Sequence, residues 1–256
     1  VLLAALGAEG DSTVSEPILS RDHTEIMLKG FGANLTTNGL SSMISALTSP
    51  LSNFNLSVPG DPSTAAFFAA AAAIVSESEI ILNSILHNPT RIGFYGTLQR
   101  MGAGMECLET WAEAGETIGK LKVFHQPLNG ITITKDDVPG VIDELPIIAI
   151  LATQADGKTE VRGAEELRVK ECDRIHAVCK NLIKMGAVIE ELDDGFIIQG
   201  PTPLKDAELK TFHDHRIAMA FTIAGLVSDG DVILEYPECA SVSYPEFYDE
   251  LERLKQ

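Results

Sequence analysis

The residues of this chain best suited to chemistry lie in Glu165-Glu166-Leu167-Arg168-Val169-Lys170-Glu171-Cys172-Asp173-Arg174. That stretch runs into Ile175, Val178, Leu182, Ile183 and Met185, which recur at helical spacing and stop at Gly186. As the first turn of a helix it places Lys170 and Arg174 one turn apart on one face, with Glu171 on a neighbouring stripe. Two cations and a carboxylate at a helix start suit an anionic substrate that needs a proton moved. Taken alone, the same charges also describe a solvated helix terminus with i,i+4 pairs. Three more polar sites interrupt apolar segments. Ser20-Arg21-Asp22-His23-Thr24 opens one helix, and Ile142-Asp143-Glu144-Leu145-Pro146 opens another, where Asp143 is either an N-cap or a reacting group. His213-Asp214-His215-Arg216 opens a third. These are not read as metal ligands, because adjacent side chains diverge and no third ligand group is signposted. A satisfied structural role is expected for His213, and a surface position for His23.

All four sites fall at N-terminal ends of helices, where backbone amides favour anions. Gathered on one face, they present Arg21, Lys170, Arg174 and Arg216 around the carboxylates Asp143 and Glu171. Such a set fits a phosphate ester together with a carboxylate, and a carboxylate inside it supplies a general base. The pattern specifies a phosphate- and carboxylate-handling enzyme and leaves the reaction open.

The elements that must hold these residues repeat. Four times the chain gives an Ala- or Ile-rich helix, a short polar turn, a β-type run and a second helix. The turns are Glu9-Gly10-Asp11, Ser76-Glu77-Ser78, Asp156-Gly157 and Asp229-Gly230, each followed by a strand. Three second helices close on Phe31-Gly32-Ala33, Met101-Gly102-Ala103 and Met185-Gly186-Ala187, with glycine at a helix C-cap. Leu251-Glu252-Arg253-Leu254 stands at the corresponding place in the fourth unit without the glycine. The expected fold class is therefore α/β (α+β), in units of about 60 to 80 residues with helices packed under a sheet. A linker rich in Ser, Thr and Asn is expected between Leu35 and Leu56. Leu56-Ser57-Val58 then reads as a strand and Pro59-Gly60-Asp61-Pro62-Ser63 as a turn into a capped helix. A boundary near Pro59 divides residues 1–58, the last unit of a first domain, from residues 59–256, a second domain of three units.

Of the 256 residues, 37 are acidic and 19 basic, a net charge of −18 that argues against nucleic-acid or anionic-membrane partners. Hydrophobic content of 45% with 22% charged residues describes a folded globular chain. No apolar run approaches the ~18 residues of a membrane span; the richest, Ala65 to Val75, reads as a buried helix. Cys107, Cys172, Cys179 and Cys239 show no metal-ligand spacing, and reduced thiols in a cytoplasmic protein are expected. Val1 to Leu6 reads as the end of a helix, without a basic n-region, and the chain is expected to be a fragment or processed form of something longer.

The Glu165–Arg174 stretch, with Asp214-His215-Arg216-Ile217-Ala218-Met219 downstream, resembles the 5-enolpyruvylshikimate-3-phosphate (EPSP) synthase family. Pro59-Gly60-Asp61-Pro62-Ser63 and Ile142-Asp143-Glu144-Leu145-Pro146 match it in the same order, and Arg21-Asp22-His23-Thr24-Glu25 with Phe31-Gly32-Ala33-Asn34-Leu35 is similar to its bacterial branch. The resemblance covers essentially the whole chain. It implies an enolpyruvyl transferase-like fold of βαβαββ units in two domains, with the active site between them. It also implies transfer of the enolpyruvyl group of phosphoenolpyruvate to the 5-hydroxyl of shikimate 3-phosphate, releasing phosphate, on the route to chorismate and the aromatic amino acids. No metal or organic cofactor is implied. Carried over by motif, Asp143 takes the 5-hydroxyl proton and touches the shikimate ring, while Lys170 and Arg21 contact shikimate 3-phosphate. Arg174 and Arg216 hold phosphoenolpyruvate, Glu171 serves proton transfer at its methylene carbon, and Asp214 and His215 support them.

The chain departs from the family in length. The Gly-Ser-Lys-Ser-type segment, the Gly-Asn-Ala-Gly-Thr-type loop and the Ser-x-Gln-type shikimate contact are missing, as is the N-terminal strand that helps complete the last unit. Cys172 stands where a small hydroxyl residue is frequent, and Ser241-Val242-Ser243-Tyr244-Pro245 carries no lysine near the C-terminus. Half an active site is expected, silent or weak unless the missing N-terminal part complements it. The alternatives are the sister UDP-N-acetylglucosamine enolpyruvyl transferase, and a non-catalytic anion-binding half that needs a partner. A repeat protein whose charged helix ends are mere caps would bind no anion.

Overall fold

The computed structural model describes residues 1–53 and 55–255; Phe54, in the expected linker, and Gln256, at the end of the expected second domain, lie outside them. The first unit comprises α1 (Leu2–Ala5), β1 (Ser12–Ser15), α2 (His23–Gly30), β2 (Leu35–Asn38) and β3 (Ser41–Ile44), in an antiparallel sheet of order β1-β3-β2. The second repeats that order as α3 (Pro62–Ile74), β4 (Glu79–Leu86), α4 (Gly93–Arg100), β5 (Gly104–Glu113) and β6 (Glu116–Phe124), in sheet order β4-β6-β5. The third adds β7 (Thr132–Ile133) and α5 (Val138–Val141) before α6 (Leu145–Gln154), β8 (Gly157–Val161), α7 (Arg174–Lys184), β9 (Val188–Leu192) and β10 (Gly195–Gly200), in sheet order β7-β8-β10-β9. The last comprises β11 (Leu204–Lys210), α8 (His215–Gly225), β12 (Ser228–Glu235) and α9 (Phe247–Leu254), with β11 and β12 paired in parallel.

The helices that open the later units, α3, α6 and α8, are apolar nearly all round, and such a helix is stable only when buried on every side. They pack on one another, and Ala66, Phe67, Ile148, Leu151, Ile217 and Phe221 are buried in the core they share. A separate, smaller core of Leu2, Ala5, Leu28, Ala33, Leu35 and Ile44 serves the first unit. Helices α2, α4 and α7 end as the sequence predicts. The amides of Ala33, Ala103 and Ala187 reach back to the carbonyls of Leu28, Leu98 and Leu182, and Gly32, Gly102 and Gly186 supply the left-handed turn.

The inner helices also aim their first turns at one place. Asp61 caps α3, its Oδ2 accepting the Thr64 amide at 3.0 Å and hydroxyl at 2.8 Å. Asp214 caps α8 by accepting the Arg216 amide at 2.8 Å. Asp61→Ala is expected to lower the unfolding free energy by about 1 kcal/mol. A urea midpoint unchanged by that substitution would contradict the cap.

Four expectations about elements need correction. Residues 35–44, expected as linker, form the β2–β3 hairpin, in which Gly39 takes φ +56° after Asn38. Leu56-Ser57-Val58 is not a strand; only Gly60 bridges to Ile85, and the Ser57 amide is held by Glu113 Oε1 at 2.9 Å. Asp229-Gly230 lies inside β12, at an irregularity in its pairing with β11, where Gly230 takes φ +107°. Glu165–Val169 is a single 3₁₀ turn and Lys170 is extended, so α7 starts only at Arg174. Asp173 sets that boundary: it caps α7 through the His176 amide at 2.9 Å, a geometry that excludes helical backbone at the cap itself.

Candidate active site

The four cations expected from the sequence converge on one carboxylate. Asp143 sits in the 3₁₀ turn Ile142–Glu144 that leads into α6. Its Oδ1 lies 3.4 Å from Arg174 Nη1 and 3.8 Å from Lys170 Nζ, and its Oδ2 lies 3.3 Å from Arg21 Nη2 and 3.9 Å from Arg216 Nη2. The carboxylate receives no helix amide among the described residues, so the N-cap reading of Asp143 gives way to an ion cluster. Lys170 and Arg174 meet there from a loop and a helix start, not from one helical face.

Arg174 is the hub of the cluster and is 1% exposed. Its Nε donates to Asp214 Oδ2 at 2.8 Å and its Nη2 to Glu171 Oε2 at 2.6 Å. Asp214 is brought there by Phe212 and His213, two successive non-glycine residues at φ +54° and +56°. That backbone costs about 1–3 kcal/mol per residue and is tolerated where the surroundings over-determine it. Arg216 Nη1 donates to the Asp143 carbonyl at 2.9 Å and lies 3.3 Å from Glu144 Oε1. Glu171 is half exposed where it pairs with Arg174. A cleft of about 560 Å³ opens between Leu19, Ser20 and Arg21 on one side and Arg91, Gly140 and Asp143 on the other.

Burial alone would raise the pKa of Asp143, but Arg216, Lys170, Arg174 and Arg21 outweigh it and hold the carboxyl below the usual aspartate range. A depressed folded pKa contributes stability above the unfolded value of about 3.9, and that contribution is lost as pH falls through the folded value. Glu144 moves the other way, because burial, with the charge of Asp143 beside it, outweighs its attraction to Arg216. The Asp143 contribution is therefore read as a difference: between pH 5 and 3, wild type is expected to lose more stability than Asp143→Asn. Parallel stability–pH curves for the two would contradict it. Burial, reinforced by Arg216 and Arg174, lowers the pKa of His215, which leaves the imidazole neutral at pH 7. Burial and the neighbouring Asp214 push the Cys172 thiol up to about 12, so it is a protonated donor to Asp214 and not a nucleophile.

Arg21, Asp143, Lys170, Glu171, Arg174, Asp214, His215 and Arg216 thus gather around one site. Arg168, from the same stretch, turns away to Asp173, Glu191 and the carbonyls of Leu192 and Asp193. His213, expected to play a satisfied structural role, is exposed, with its ring 4.5 Å from that of Tyr236. His23 is half-buried, its Nδ1 2.6 Å from Glu116 Oε1, and is no surface histidine. Sequence reasoning missed Arg91, which binds Asp61 at 2.6 Å and Ser63 at 3.1 Å, and Glu144, which meets Arg216. The repeat carried the signal for Arg91: it follows β4 in the second unit as Arg21 follows β1 in the first and Arg174 follows β8 in the third.

The sequence profile of EPSP synthase (3-phosphoshikimate 1-carboxyvinyltransferase) matches residues 1–251. Relatives named 3-phosphoshikimate 1-carboxyvinyltransferase include those of Sulfurihydrogenibium sp., 45% identical over 100% of this chain and 60% of the relative, and of Aquifex aeolicus, 46% identical over 98% and 59%. An EPSP synthase structure from Acinetobacter baumannii superimposes with a TM-score of 0.94 at 38% identity, covering 99% of this chain and 58% of that one. The enolpyruvyl transferase NikO from Streptomyces tendae, at 20% identity and a TM-score of 0.70, shares the fold. The chain spans about 60% of the length of the curated relatives it matches. With a family profile running through all four units and a matching enolpyruvyl transferase fold, this chain belongs to the EPSP synthase family.

Proposed function

We propose that this chain carries half of the site that transfers the enolpyruvyl group of phosphoenolpyruvate to the 5-hydroxyl of shikimate 3-phosphate, releasing phosphate. The observation that carries the reading is the convergence of Arg21, Lys170, Arg174 and Arg216 on Asp143. Lys170 and Arg21 take shikimate 3-phosphate, and Arg174 and Arg216 take the carboxylate and phosphate of phosphoenolpyruvate. Asp143 accepts the 5-hydroxyl proton as that oxygen attacks the enol carbon, while Glu171 delivers a proton to the methylene carbon. The tetrahedral adduct then loses phosphate as Glu171 takes a proton back from the same carbon.

Physical chemistry links the binding and the base. Four cations make an empty-site Asp143 a weak base, but substrate anions neutralise those cations on arrival, and the carboxyl then regains basicity when it is needed. The remaining contacts are assigned to the part of the relatives' length that this chain does not span, so the chain alone is expected to be silent or weak. Residues 1–58 are proposed as the end of a first domain, a division supported by their separate core, and residues 59–256 as the second. A cytoplasmic setting is part of the proposal, supported by four free cysteines. Among the described residues no helix is long and apolar enough to cross a membrane.

Calorimetric titration of the chain with shikimate 3-phosphate, phosphoenolpyruvate and UDP-N-acetylglucosamine tests the substrate assignment. Binding of the first two and not the third is expected. Binding of UDP-N-acetylglucosamine in place of shikimate 3-phosphate would transfer the assignment to the sister reaction.

A further inference from the structure

Arg21 is 55% exposed, and its ion pair with Asp143 is a single contact at 3.3 Å. Exposed pairs of this kind hold a side chain weakly. One residue further on, Asp22 enters a cluster that the proposed chemistry does not use. Asp22 Oδ1 accepts from Asn88 Nδ2 at 2.8 Å, and the same amide nitrogen donates to Glu116 Oε2 at 2.9 Å. Glu116 Oε1 in turn lies 2.6 Å from His23 Nδ1. On its other side, Asn88 Oδ1 accepts the Thr90 amide at 2.8 Å and the Thr90 hydroxyl at 2.7 Å. Both amide protons and both carbonyl lone pairs of Asn88 are therefore engaged, and the residue is 3% exposed. A side chain satisfied in every direction has one orientation.

The cluster joins separate parts of the chain. Asp22 and His23 begin α2, Asn88 lies between β4 and α4, and Glu116 begins β6. The tip of the β5–β6 hairpin continues the grip. Gly115 turns there with φ +85°, where a Cβ would stand 3.0 Å from Ile26 Cγ2 of α2, and Glu113 holds the Ser57 amide at 2.9 Å. The hairpin tip thus touches both α2 and the stretch connecting the first unit to α3.

We propose that Asn88 and Glu116 are positioning residues, a clasp that holds the start of α2 against the second unit so that Arg21 faces Asp143 across the cleft. The effect on substrate rests on the reading of Arg21 as a shikimate 3-phosphate contact; the clasp itself does not. Hydrogen exchange on the 256-residue chain tests the clasp without ligand. Asn88→Ala is expected to speed exchange of the amides of residues 22–30 about tenfold, leaving those of residues 174–185 unchanged, because only the first segment loses its tether. Glu116→Gln, the milder variant should Asn88→Ala fold poorly, is expected to act in the same direction. Unchanged exchange of residues 22–30 in both variants would overturn the clasp, whatever the chain binds.

A double-mutant cycle tests the consequence. Asn88→Ala is expected to weaken shikimate 3-phosphate binding about tenfold, to leave phosphoenolpyruvate binding unchanged, and to add nothing once Arg21→Ala is present. Additive losses would show that Asn88 does not act through Arg21 and would overturn its positioning role. Wild-type chain that fails to bind shikimate 3-phosphate while the exchange result holds would remove the substrate assignment and leave the clasp standing.

Discussion

Asp143→Asn is expected to separate binding from turnover. The carboxylate lies within 3.9 Å of four cationic side chains, so in the empty site it plays the part of their anion. On the proposed reading, a substrate phosphate or carboxylate competes with it for Arg174 and Arg216. At an effective dielectric near 20, a unit charge at these distances interacts by roughly 4 kcal/mol with each cation, and solvent at this partly open site reduces that severalfold. Removing the charge is therefore expected to tighten phosphoenolpyruvate or inorganic phosphate binding about tenfold, read by titration calorimetry. Turnover moves oppositely, since loss of a positioned base costs about 10²- to 10⁴-fold. Weakened anion binding together with unimpaired turnover would remove Asp143 from both roles.

Arg174→Met carries the largest expected cost in stability. Arg174 is 1% exposed and Asp214 is fully buried, and their 2.8 Å contact is the innermost ion pair of the site. Deleting one partner of such a pair leaves an uncompensated buried charge and costs about 3–5 kcal/mol, a fall of roughly 10 °C in melting temperature for a chain of this length. Adding Asp214→Asn is expected to recover part of the loss, because asparagine still caps α8 while the orphaned charge is gone. A melting temperature unaffected by Arg174→Met, or a double variant less stable than the single, would contradict this view of Arg174. The same guanidinium contacts Asp143 and Glu171, so stability and anion affinity are expected to fall together.

Much of this arrangement was legible in residue order alone. The apolar segments from Ala65 and Leu145 had no polar face to offer solvent, and they became inner helices. The Gly-Ala endings at Gly32, Gly102 and Gly186 announced the helix stops and the hairpins beyond them. Four cations could be collected because each stood near the start of a helix and helix starts favour anions. Local composition misled in two places. The Ser- and Thr-rich residues 35–44 looked like linker, but Asn38-Gly39 is a hairpin turn, and the Thr37 and Ser42 hydroxyls meet across the strands at 3.2 Å. Charge periodicity from Glu165 to Arg174 looked helical, but the Asp173 cap outweighs it and leaves Lys170 extended. Asn88 and Glu116 carried no signal of their own: an asparagine in an Asn-Pro-Thr turn and a glutamate after a glycine are ordinary until tertiary structure brings them to Asp22 and His23.

Residues 165–174 and 214–216 belong together only in three dimensions. Their meeting at Asp143 is the arrangement on which the proposed anion site, with a base inside it, rests. The measurement that tests this most directly is shikimate 3-phosphate-dependent release of phosphate from phosphoenolpyruvate. It would be made with the chain alone, with an added polypeptide corresponding to the part of the relatives that the chain does not span, and with Asp143→Asn as control. The expected result is little or no release from the chain alone, release on complementation, and its loss in the Asp143→Asn control. A complemented sample that binds both substrates and releases no phosphate, or release that survives Asp143→Asn, would contradict the account.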